Sequence, residues 1–194
     1  MNLKGKKVGF ALTGSHCTIT KIEKQLFRLK DEGAEIYPIF STSVNTTPTR
    51  FGTAENWVKM FNQVSSQPVI TSIAEAEPIG PQGILDVMVV APCSGNTLAK
   101  LANGITDTAV LMAVKAHLRN QKPVVLAIST NDGLGINARN IGTLLITKNI
   151  FMVPFGQDSP NTKANSLVAN MDLIVETMKV ALDGKQLQPL LLVP

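Results

Sequence analysis

At 194 residues, with 44% hydrophobic and 16% charged residues, the chain has the composition of one folded domain and not of a disordered segment. Its net charge of +4 does not indicate nucleic-acid binding, because seven of the 18 Lys and Arg precede residue 31 and the few aromatic residues are not interleaved with basic ones. No apolar run approaches the roughly 20 residues that span a bilayer, and two cysteines make no disulfide framework, so we expect a cytoplasmic protein without membrane segments.

The first third of the chain alternates between strand-like and helix-like segments. A possible capping box from Thr20 to Glu23 places a helix start at Thr20 and leaves residues 14–19 as loop. The segments expected in order are a strand at 7–13, a loop at 14–19, an amphipathic helix from 20 to about 31, a strand at 34–40, a long polar loop at 41–52, a helix near 53–64 and a short strand at 68–72.

The same alternation continues to the carboxyl terminus. The apolar run that opens the third main strand stops at Pro92, and Gly184 ends the last helical pattern. The expected segments are a strand at 85–91, helices near 96–103 and 107–119, a strand at 123–129, a helix near 137–147, a strand at 150–154, a helix over 161–183 and an apolar tail at 187–194.

Strands that are apolar throughout and separated by helices predict a single α/β domain over residues 1–194 with a doubly wound sheet of five or more parallel strands. In such a sheet the ligand crevice lies at the carboxyl ends of the strands, so the loops after the first four strands should share one crevice. The candidate cofactor-binding residues in these loops are Gly14, Ser15, Ser41, Thr42, Ser94, Gly95, Asn96, Thr97, Ser129 and Asn131. A Gly-x-Gly-x-x-Gly motif does not follow the first strand, which argues against NAD(P) binding by this chain.

Residues 83–108 carry the most informative pattern. A strand, a loop of small polar residues and a helix start near Asn96 aim backbone N–H groups at an anion, so we expect a phosphate, a sulfate or the phosphate of FMN there. The alternative is an ordinary strand-to-helix turn. Asn96 and Asn131 are the preferred ligand contacts, because an amide offers a donor and an acceptor to a ring.

The segment Ala91 to Lys100, APCSGNTLAK, together with NGI at 103–105 and Asp107, resembles the A-P-x-S-A-N-T and N-G-I-x-D signatures of flavin-dependent cysteine decarboxylases and their flavoprotein relatives. The resemblance implies a Rossmann-like flavoprotein fold and FMN as the cofactor that its pocket could hold. It also implies a homo-oligomer, for which the apolar tail 187–193 and the cluster Leu111, Met112 and Val114 are further signs. Both segments could instead cover the core of the monomer.

The decarboxylation residues of that family are missing. Where the decarboxylases have P-x-M-N-x-x-M-W after the fourth strand, this chain has ISTNDGLG at 128–135, and only Asn131 is retained. The decarboxylases also carry a catalytic His shortly before the third strand, and residues 68–78 contain none. An independent FMN-dependent decarboxylase of the phosphopantothenoylcysteine type is therefore the weaker alternative.

Over nearly its whole length the chain resembles the B subunits of dipicolinate synthases of spore-forming bacteria, in GSHCT at 14–18, VVAPCSGNT at 89–97 and STNDGLG at 129–135. The resemblance implies one component of an oxidoreductase that converts dihydrodipicolinate, a small dicarboxylate, to dipicolinate in the mother cell during sporulation. It further implies a partner, the A subunit of dipicolinate synthase, through which alone NAD(P) is bound. A third hypothesis is a non-catalytic regulatory subunit that keeps an inherited pocket.

Three residues are candidates for catalysis. His16 can act as an acid or base at the crevice or can be a solvated loop residue, and Cys17 and Cys93 can form a redox pair or simply fill the pocket. His117 is expected on the surface of a helix without a role. We expect Asp107 to cap the following helix. No His, Cys or carboxylate cluster has metal-ligand spacing. Arg50 and Lys100 are candidate partners of substrate carboxylates, or alternatively solvated surface charges.

Overall fold

Seven strands form one sheet in the computed structural model, which describes residues 2–192. Their bounds are β1 Lys7–Leu12, β2 Glu35–Phe40, β3 Val87–Ser94, β4 Val124–Thr130, β5 Ile150–Met152, β6 Phe155–Gly156 and β7 Leu167–Ala169. The strands β2, β1, β3, β4 and β5 neighbour one another in that order and are all parallel. The predicted α/β fold with five parallel strands is therefore confirmed. β7 pairs antiparallel with the carboxyl half of β4, and β6 pairs antiparallel with β7, so these two strands widen the sheet at that end of β4.

Nine α-helices connect or flank the strands of the described chain. They are α1 His16–Ile19, α2 Glu23–Asp31, α3 Thr42–Thr46, α4 Ala54–Asn62, α5 Ile73–Ala76, α6 Gly95–Ala102, α7 Ala109–Arg119, α8 Ala138–Leu145 and α9 Ile174–Ala181. Two groups of helices cover the sheet, α2 with α9 and α5 with α7. Within residues 2–192, none of them combines the length and the apolar character that a membrane crossing requires.

The central strands are apolar because both faces of the sheet are covered. Every residue of β3 and β4 is buried except the last one of each, Ser94 and Thr130. Such strands bury apolar side chains alternately on both sides, which is why their sequences show no polar alternation. The exposure of polar residues begins at the carboxyl ends, where the ligand crevice of this fold class lies.

The helix expected over 161–183 is wrong in its first half. Residues 167–169 form β7, where Thr130 pairs with Leu167 and Ser129 with Val168. The side chain of Asn170 then accepts the N–H of Asp172 at 3.1 Å and starts the turn that leads into α9. The apolar spacing that predicts a helix is satisfied only in the second half, because pairing with the free edge of β4 recruits residues 167–169 into the sheet.

Other boundaries differ at the starts of elements. Residues 16–19 form α1 instead of loop, and the expected cap at Thr20 is a helical residue without a capping hydrogen bond. The polar loop at 41–52 contains α3, and the short strand expected at 68–72 is reduced to one bridge between Ile39 and Ile70. β3 continues past Pro92 to Ser94, because its register against β4 shifts between Val90 and Cys93 and this irregularity accommodates the proline.

His117 is fully buried, so the expected surface position is wrong. Its Nε2 lies 3.1 Å from the carbonyl oxygen of Pro123, which ties α7 to the start of β4. Burial lowers the pKa of His117 to about 4, and the bond to Pro123 opposes this only in part. The imidazole is therefore neutral in the folded chain at pH 7.

Asp107 does not cap α7 as expected. The cap is Thr108, whose side chain accepts the N–H of Leu111 at 3.3 Å. Asp107 instead pairs with Lys100, with 2.6 Å between the carboxylate oxygen and Nζ. Thr108 has the extended backbone of an N-cap residue, which leaves the preceding carboxylate free to reach back towards α6.

Replacing His117 with Gln should flatten the acid side of the stability curve. The unfolded chain takes up a proton near the ordinary pKa of 6.5, whereas the folded chain does so only near 4. Wild-type stability is therefore complete above pH 6.5 and falls as the pH drops towards 4, by about 3 kcal/mol for this group. Urea unfolding at pH 7, 5.5 and 4 measures the difference, and parallel curves for the two chains would contradict it.

Candidate functional site

The carboxyl ends of β1 and β3 are joined by one buried hydroxyl. Thr13, fully buried, donates its hydroxyl hydrogen to the carbonyl oxygen of Pro92 at 2.7 Å and accepts the N–H of Ser94 at 2.8 Å. Pro92 has no N–H of its own to hold the irregular end of β3 in place. The side chain of Thr13 therefore fixes the point at which the loop of small polar residues begins.

A second set of hydrogen bonds joins the first loop to β4. The hydroxyl of Ser15 donates to the carbonyl oxygen of Ser129 at 2.7 Å, and the hydroxyls of Thr18 and Ser129 lie 2.9 Å apart. These bonds cross over the end of β3 and hold α1 against the sheet edge. Ser15 and Ser129, both candidate cofactor ligands, thus have structural partners within the chain.

A cavity of about 590 Å³ opens between α1, the end of β4 and the segment after β6. We call it the histidine cavity because His16 lies in its wall. Its lining residues are Gly14, Ser15, His16, Cys17, Thr18, Lys21, Thr49, Phe51, Gly95, Ser129, Thr130, Asn131, Asp158, Lys163, Ser166 and Val168. Of the candidate cofactor residues, this wall contains Gly14, Ser15, Gly95, Ser129 and Asn131.

A cavity of about 420 Å³ lies beside α3 and the other side of α6, and we call it the hydroxyl cavity. Its lining residues are Ser41, Thr42, Ser43, Thr46, Thr47, Ser94, Asn96, Thr97, Lys100, Asp107, Thr108 and Leu111. The charges of Lys100 and Asp107 offset each other in an ion pair. The remaining polar lining consists of hydroxyl and amide groups, which suit an anion bound by hydrogen bonds at the start of α6.

The single crevice expected from the sequence is thus two cavities at one edge of the sheet. The first turn of α6 stands between them and packs closely on the loop after β4. A Cβ placed on Gly95 would overlap the hydroxyl oxygen of Thr130 and lie 2.9 Å from the Nδ2 atom of Asn137. Ser15, Ser94 and Asn131 do lie at the same edge, as expected, because β1, β3 and β4 are parallel neighbours.

His16 and Cys17 are brought to the histidine cavity together. The Nδ1 atom of His16 is buried and has no hydrogen-bond partner in the described structure. Burial lowers the pKa of His16, so its imidazole is neutral at pH 7 and can accept a proton. Cys17 is exposed, and its sulfur lies 3.7 Å from the hydroxyl of Thr18.

Cys93 lines neither cavity. It lies in β3, fully buried, and burial raises the pKa of its thiol to about 12. A thiol that stays protonated at neutral pH is a poor nucleophile. The structure therefore separates Cys93 from the wall that holds His16 and Cys17, and its packing in the sheet accounts for the residue.

A chain of polar side chains supports the loop after β4. Asp132 accepts hydrogen bonds from the hydroxyl of Thr130 and, at 2.9 Å to each carboxylate oxygen, from the amide of Asn137. The amide of Asn140 in turn donates to Asn137 at 2.8 Å. The bond from Thr130, opposed by partial burial and aided by Asn137, keeps the pKa of Asp132 below its ordinary value. A fixed carboxylate thus stands beside Gly95.

The comparisons with known proteins agree with this architecture. A family model described as Flavoprotein matches residues 1–179. The chain is also 53% identical, over 190 residues, to the B subunit of dipicolinate synthase from Bacillus subtilis strain 168, an alignment that covers 98% of this chain and 95% of the relative. The chain belongs to the Flavoprotein family.

Two solved structures show how far the Flavoprotein fold extends. The crystal structure of the B subunit of dipicolinate synthase from Bacillus halodurans is 50% identical, with a TM-score of 0.92, and the match covers 100% of this chain and 99% of that one. A dodecameric FMN-dependent UbiX-like decarboxylase from Escherichia coli O157:H7 is 23% identical, with a TM-score of 0.63 and coverage of 76% and 79%. The similarity to the Escherichia coli enzyme shows that the two proteins share a fold.

The histidine cavity also has lining residues that the sequence does not single out as members of the crevice, and Lys21, Phe51, Asp158 and Lys163 are among them. Asp158 and Lys163 arrive on the segment after β6, which sequence periodicity assigns in part to a helix. Lys21 lies in the turn Thr20–Ile22 directly after α1. The signal that the sequence does give is the length of the polar segments around Phe51, because long loops are often functional.

Neither of the two expected carboxylate partners is among the residues that line the histidine cavity. Lys100 lines the hydroxyl cavity and is paired with Asp107. The guanidinium carbon of Arg50 lies 4.8 Å from the centre of the ring of Phe51, within cation–π distance. In the part of the chain that the structure describes, no group of three or more His, Cys, Asp or Glu is arranged to hold a metal ion.

Replacing Gly95 with Ala should destabilise the fold, since a methyl group there overlaps Thr130 and crowds Asn137. We expect a loss of about 1–3 kcal/mol in the free energy of unfolding. Gly142 is the matched control, because it lies within α8 and a Cβ there meets nothing within 4 Å. Gly142→Ala should stabilise by roughly 0.5–1 kcal/mol. Urea unfolding of both variants measures this, and equal effects would refute the close packing at Gly95.

Proposed function

We propose that this chain acts as the B-type component of a two-subunit oxidoreductase that forms dipicolinate. The observation that carries the proposal is the 53% identity to the B subunit of dipicolinate synthase along 98% of the chain. The chain has no dinucleotide motif after β1, so the nicotinamide belongs to a partner, the A subunit.

The histidine cavity supplies a base for the reaction. Aromatisation of a dihydropyridine dicarboxylate removes two electrons and two protons, which together amount to one hydride and one proton. One ring carbon loses a hydride to the oxidised nicotinamide held by the A subunit, and the ring loses a proton to the neutral imidazole of His16. The buried, unpartnered Nδ1 atom and the lowered pKa of His16 support this role, because both favour the neutral imidazole that a base requires.

The hydroxyl side chains of the hydroxyl cavity suit a phosphate, and we propose that FMN binds there by its phosphate. The side chains that would hold the phosphate are Ser41, Thr42, Ser43, Ser94 and Thr97, beside the first turn of α6. That turn has N–H groups without intrahelical acceptors, and Ser94 takes up only that of Thr97. When bound, FMN would supply a ring that can accept a hydride, in addition to the nicotinamide held by the A subunit. A yellow colour of the purified chain would report it directly.

Reconstitution with the A subunit tests the proposed function. Dipicolinate should form when both subunits are present and should fall to background when this chain is left out. The amounts of the aromatic product and of the reduced nicotinamide, each measured by its own absorbance, should rise in a one-to-one molar ratio, since each turnover moves one hydride. Turnover by the A subunit alone at the full rate would refute a catalytic role. Release of CO₂ from a cysteine-containing substrate would instead indicate an independent decarboxylase.

Within this assay His16→Gln is the informative variant. Loss of a general base should lower kcat by about 10²–10⁴-fold. His117→Gln is the control, because His117 is equally a histidine but is buried away from both cavities. If the His16→Gln variant keeps the wild-type kcat, another group accepts the proton.

We also propose a homo-oligomer. Leu111 and Val114 are buried within the chain, so that part of the sequence-based expectation fails. In the tail, Leu191 is 68% exposed, whereas Val193 and Pro194 lie outside the described residues. Around α8, four large apolar side chains are exposed, Leu134, Ile136, Leu145 and Ile146, which are costly to leave in water. The dodecameric state named for the Escherichia coli decarboxylase supports the same proposal.

Light scattering at micromolar concentration should give a mass of several times 20.8 kDa. Ile146, 87% exposed, offers a probe, because replacing it with Asp should lower the mass without unfolding the chain. Lys148→Asp, an exposed charge change nearby, is the control. A monomeric mass for the wild type would refute the oligomer.

A further inference from the structure

The histidine cavity combines positive charge with one aromatic side chain. Its titratable lining consists of His16, Cys17, Lys21, Asp158 and Lys163. Phe51 is the one aromatic ring among the described residues that line the cavity, and it is 39% exposed. The lining of the hydroxyl cavity, in contrast, is aliphatic and polar, and its charges are balanced. The two cavities therefore suit different ligands.

Lys21 provides the unbalanced charge. Within residues 2–192 no carboxylate forms a salt bridge with it. Asp172 lines a neighbouring surface recess together with Lys21, but the two form no salt bridge, and the Oδ1 atom of Asp172 accepts a hydrogen bond from Gln25 at 3.2 Å. Lys21 is exposed and stands one helical turn beyond Cys17, at the mouth of the cavity. Its ammonium group is available to a ligand carboxylate.

Lys163 faces the cavity from the segment after β6. Its Nζ lies 3.3 Å from the Oδ2 atom of Asp158, and its side chain is 54% exposed. The ammonium group of Lys163 offsets the charge of Asp158, the one carboxylate in the described lining, so Asp158 does not repel an anionic ligand. An ammonium group has three donor hydrogens, and the contact with Asp158 uses one of them.

Phe51 adds a preference for a flat ring. Arg50 covers part of this ring at 4.8 Å, which holds the side chain in place at the cavity rim. An exposed phenyl group in a wall of hydroxyl, amide and charged groups offers the apolar surface on which an aromatic ring stacks. A flexible aliphatic ligand gains less from such a surface.

We infer that the histidine cavity binds a planar ring with two carboxylates, one paired with Lys21 and the other with Lys163, and with the ring against Phe51. This inference rests on the proposed function and specifies the substrate contacts of that same site. The two lysines come from different parts of the chain, one before α2 and one after β6, and both line this cavity.

Calorimetric titration with pyridine-2,6-dicarboxylate tests the lysines, both with this chain alone and with its complex with the A subunit. Lys21→Ala and Lys163→Ala should each weaken binding by roughly 10- to 100-fold, as expected for a charged hydrogen bond. Lys24→Ala is the matched control, because Lys24 is exposed on α2 and lines neither cavity. Pyridine-2-carboxylate, with one carboxylate, should bind the wild type more weakly and respond to one lysine only.

A second pair of ligands tests the ring contact. Phe51→Ala should weaken binding of pyridine-2,6-dicarboxylate by roughly three- to tenfold, and Phe51→Tyr should restore it. Heptanedioate carries two carboxylates on a flexible chain, so its binding should respond to the lysine variants but not to Phe51→Ala.

The outcomes separate this inference from the proposed function. No binding of the dicarboxylate, by the chain or by its complex, overturns the inference, as does binding that both lysine variants leave unchanged. If the reconstituted complex forms dipicolinate and the double variant of Lys21 and Lys163 keeps its KM, the contacts are wrong while the function stands. If the wild-type complex forms none but the variants lose binding as expected, the function fails and the binding site stands.

Discussion

The hydroxyl of Thr13 is the constraint on which both cavities depend. β3 has to carry Pro92 through an irregular stretch of the sheet, where the proline gives no N–H to a neighbouring strand. The hydroxyl of Thr13 supplies hydrogen bonds in this stretch, because it accepts the N–H of Ser94 and donates to the carbonyl oxygen of Pro92. Because Ser94 also caps α6, one buried side chain sets both where the strand ends and where the helix begins.

The different charges of the two cavities follow from where α6 begins. α6 starts at the sheet edge with its hydroxyl-lined side towards α3 and with Gly95 towards Thr130. One side of the helix thus offers neutral hydrogen-bond donors beside a helix start, and the other offers lysines, an imidazole and a phenyl ring. In the proposed function these are the two kinds of surface that a phosphate and a ring carboxylate require.

The sequence is sufficient for the strands and for the residues that cluster at their ends. β1 to β5 are apolar runs, and the parallel order places Ser15, Ser94 and Asn131 at one edge. It is insufficient where a contact distant in sequence decides the structure. The apolar residues around 167–169 have helical spacing in the sequence, yet residues 167–169 form a strand on β4. The sequence around His117 is typical of the end of an exposed helix, yet its imidazole lies within hydrogen-bond distance of the carbonyl oxygen of Pro123. Lys163 lies in the segment between β6 and β7, which its sequence pattern assigns in part to a helix, so no local pattern indicates its place in the histidine cavity.

Because Gly95 packs closely on the loop after β4, α6 forms a partition between the histidine cavity and the hydroxyl cavity. Its first turn rests on Thr130, and its end is tied to α8 through Asn103, whose amide donates to Ala99 and, at 3.5 Å, to Asn140. Asn140 continues to Asn137 and Asp132, so both ends of the helix are attached to the same polar chain. A ligand that shifts this partition from one side must shift it on the other, and the two occupancies are then thermodynamically linked by the same factor in each direction.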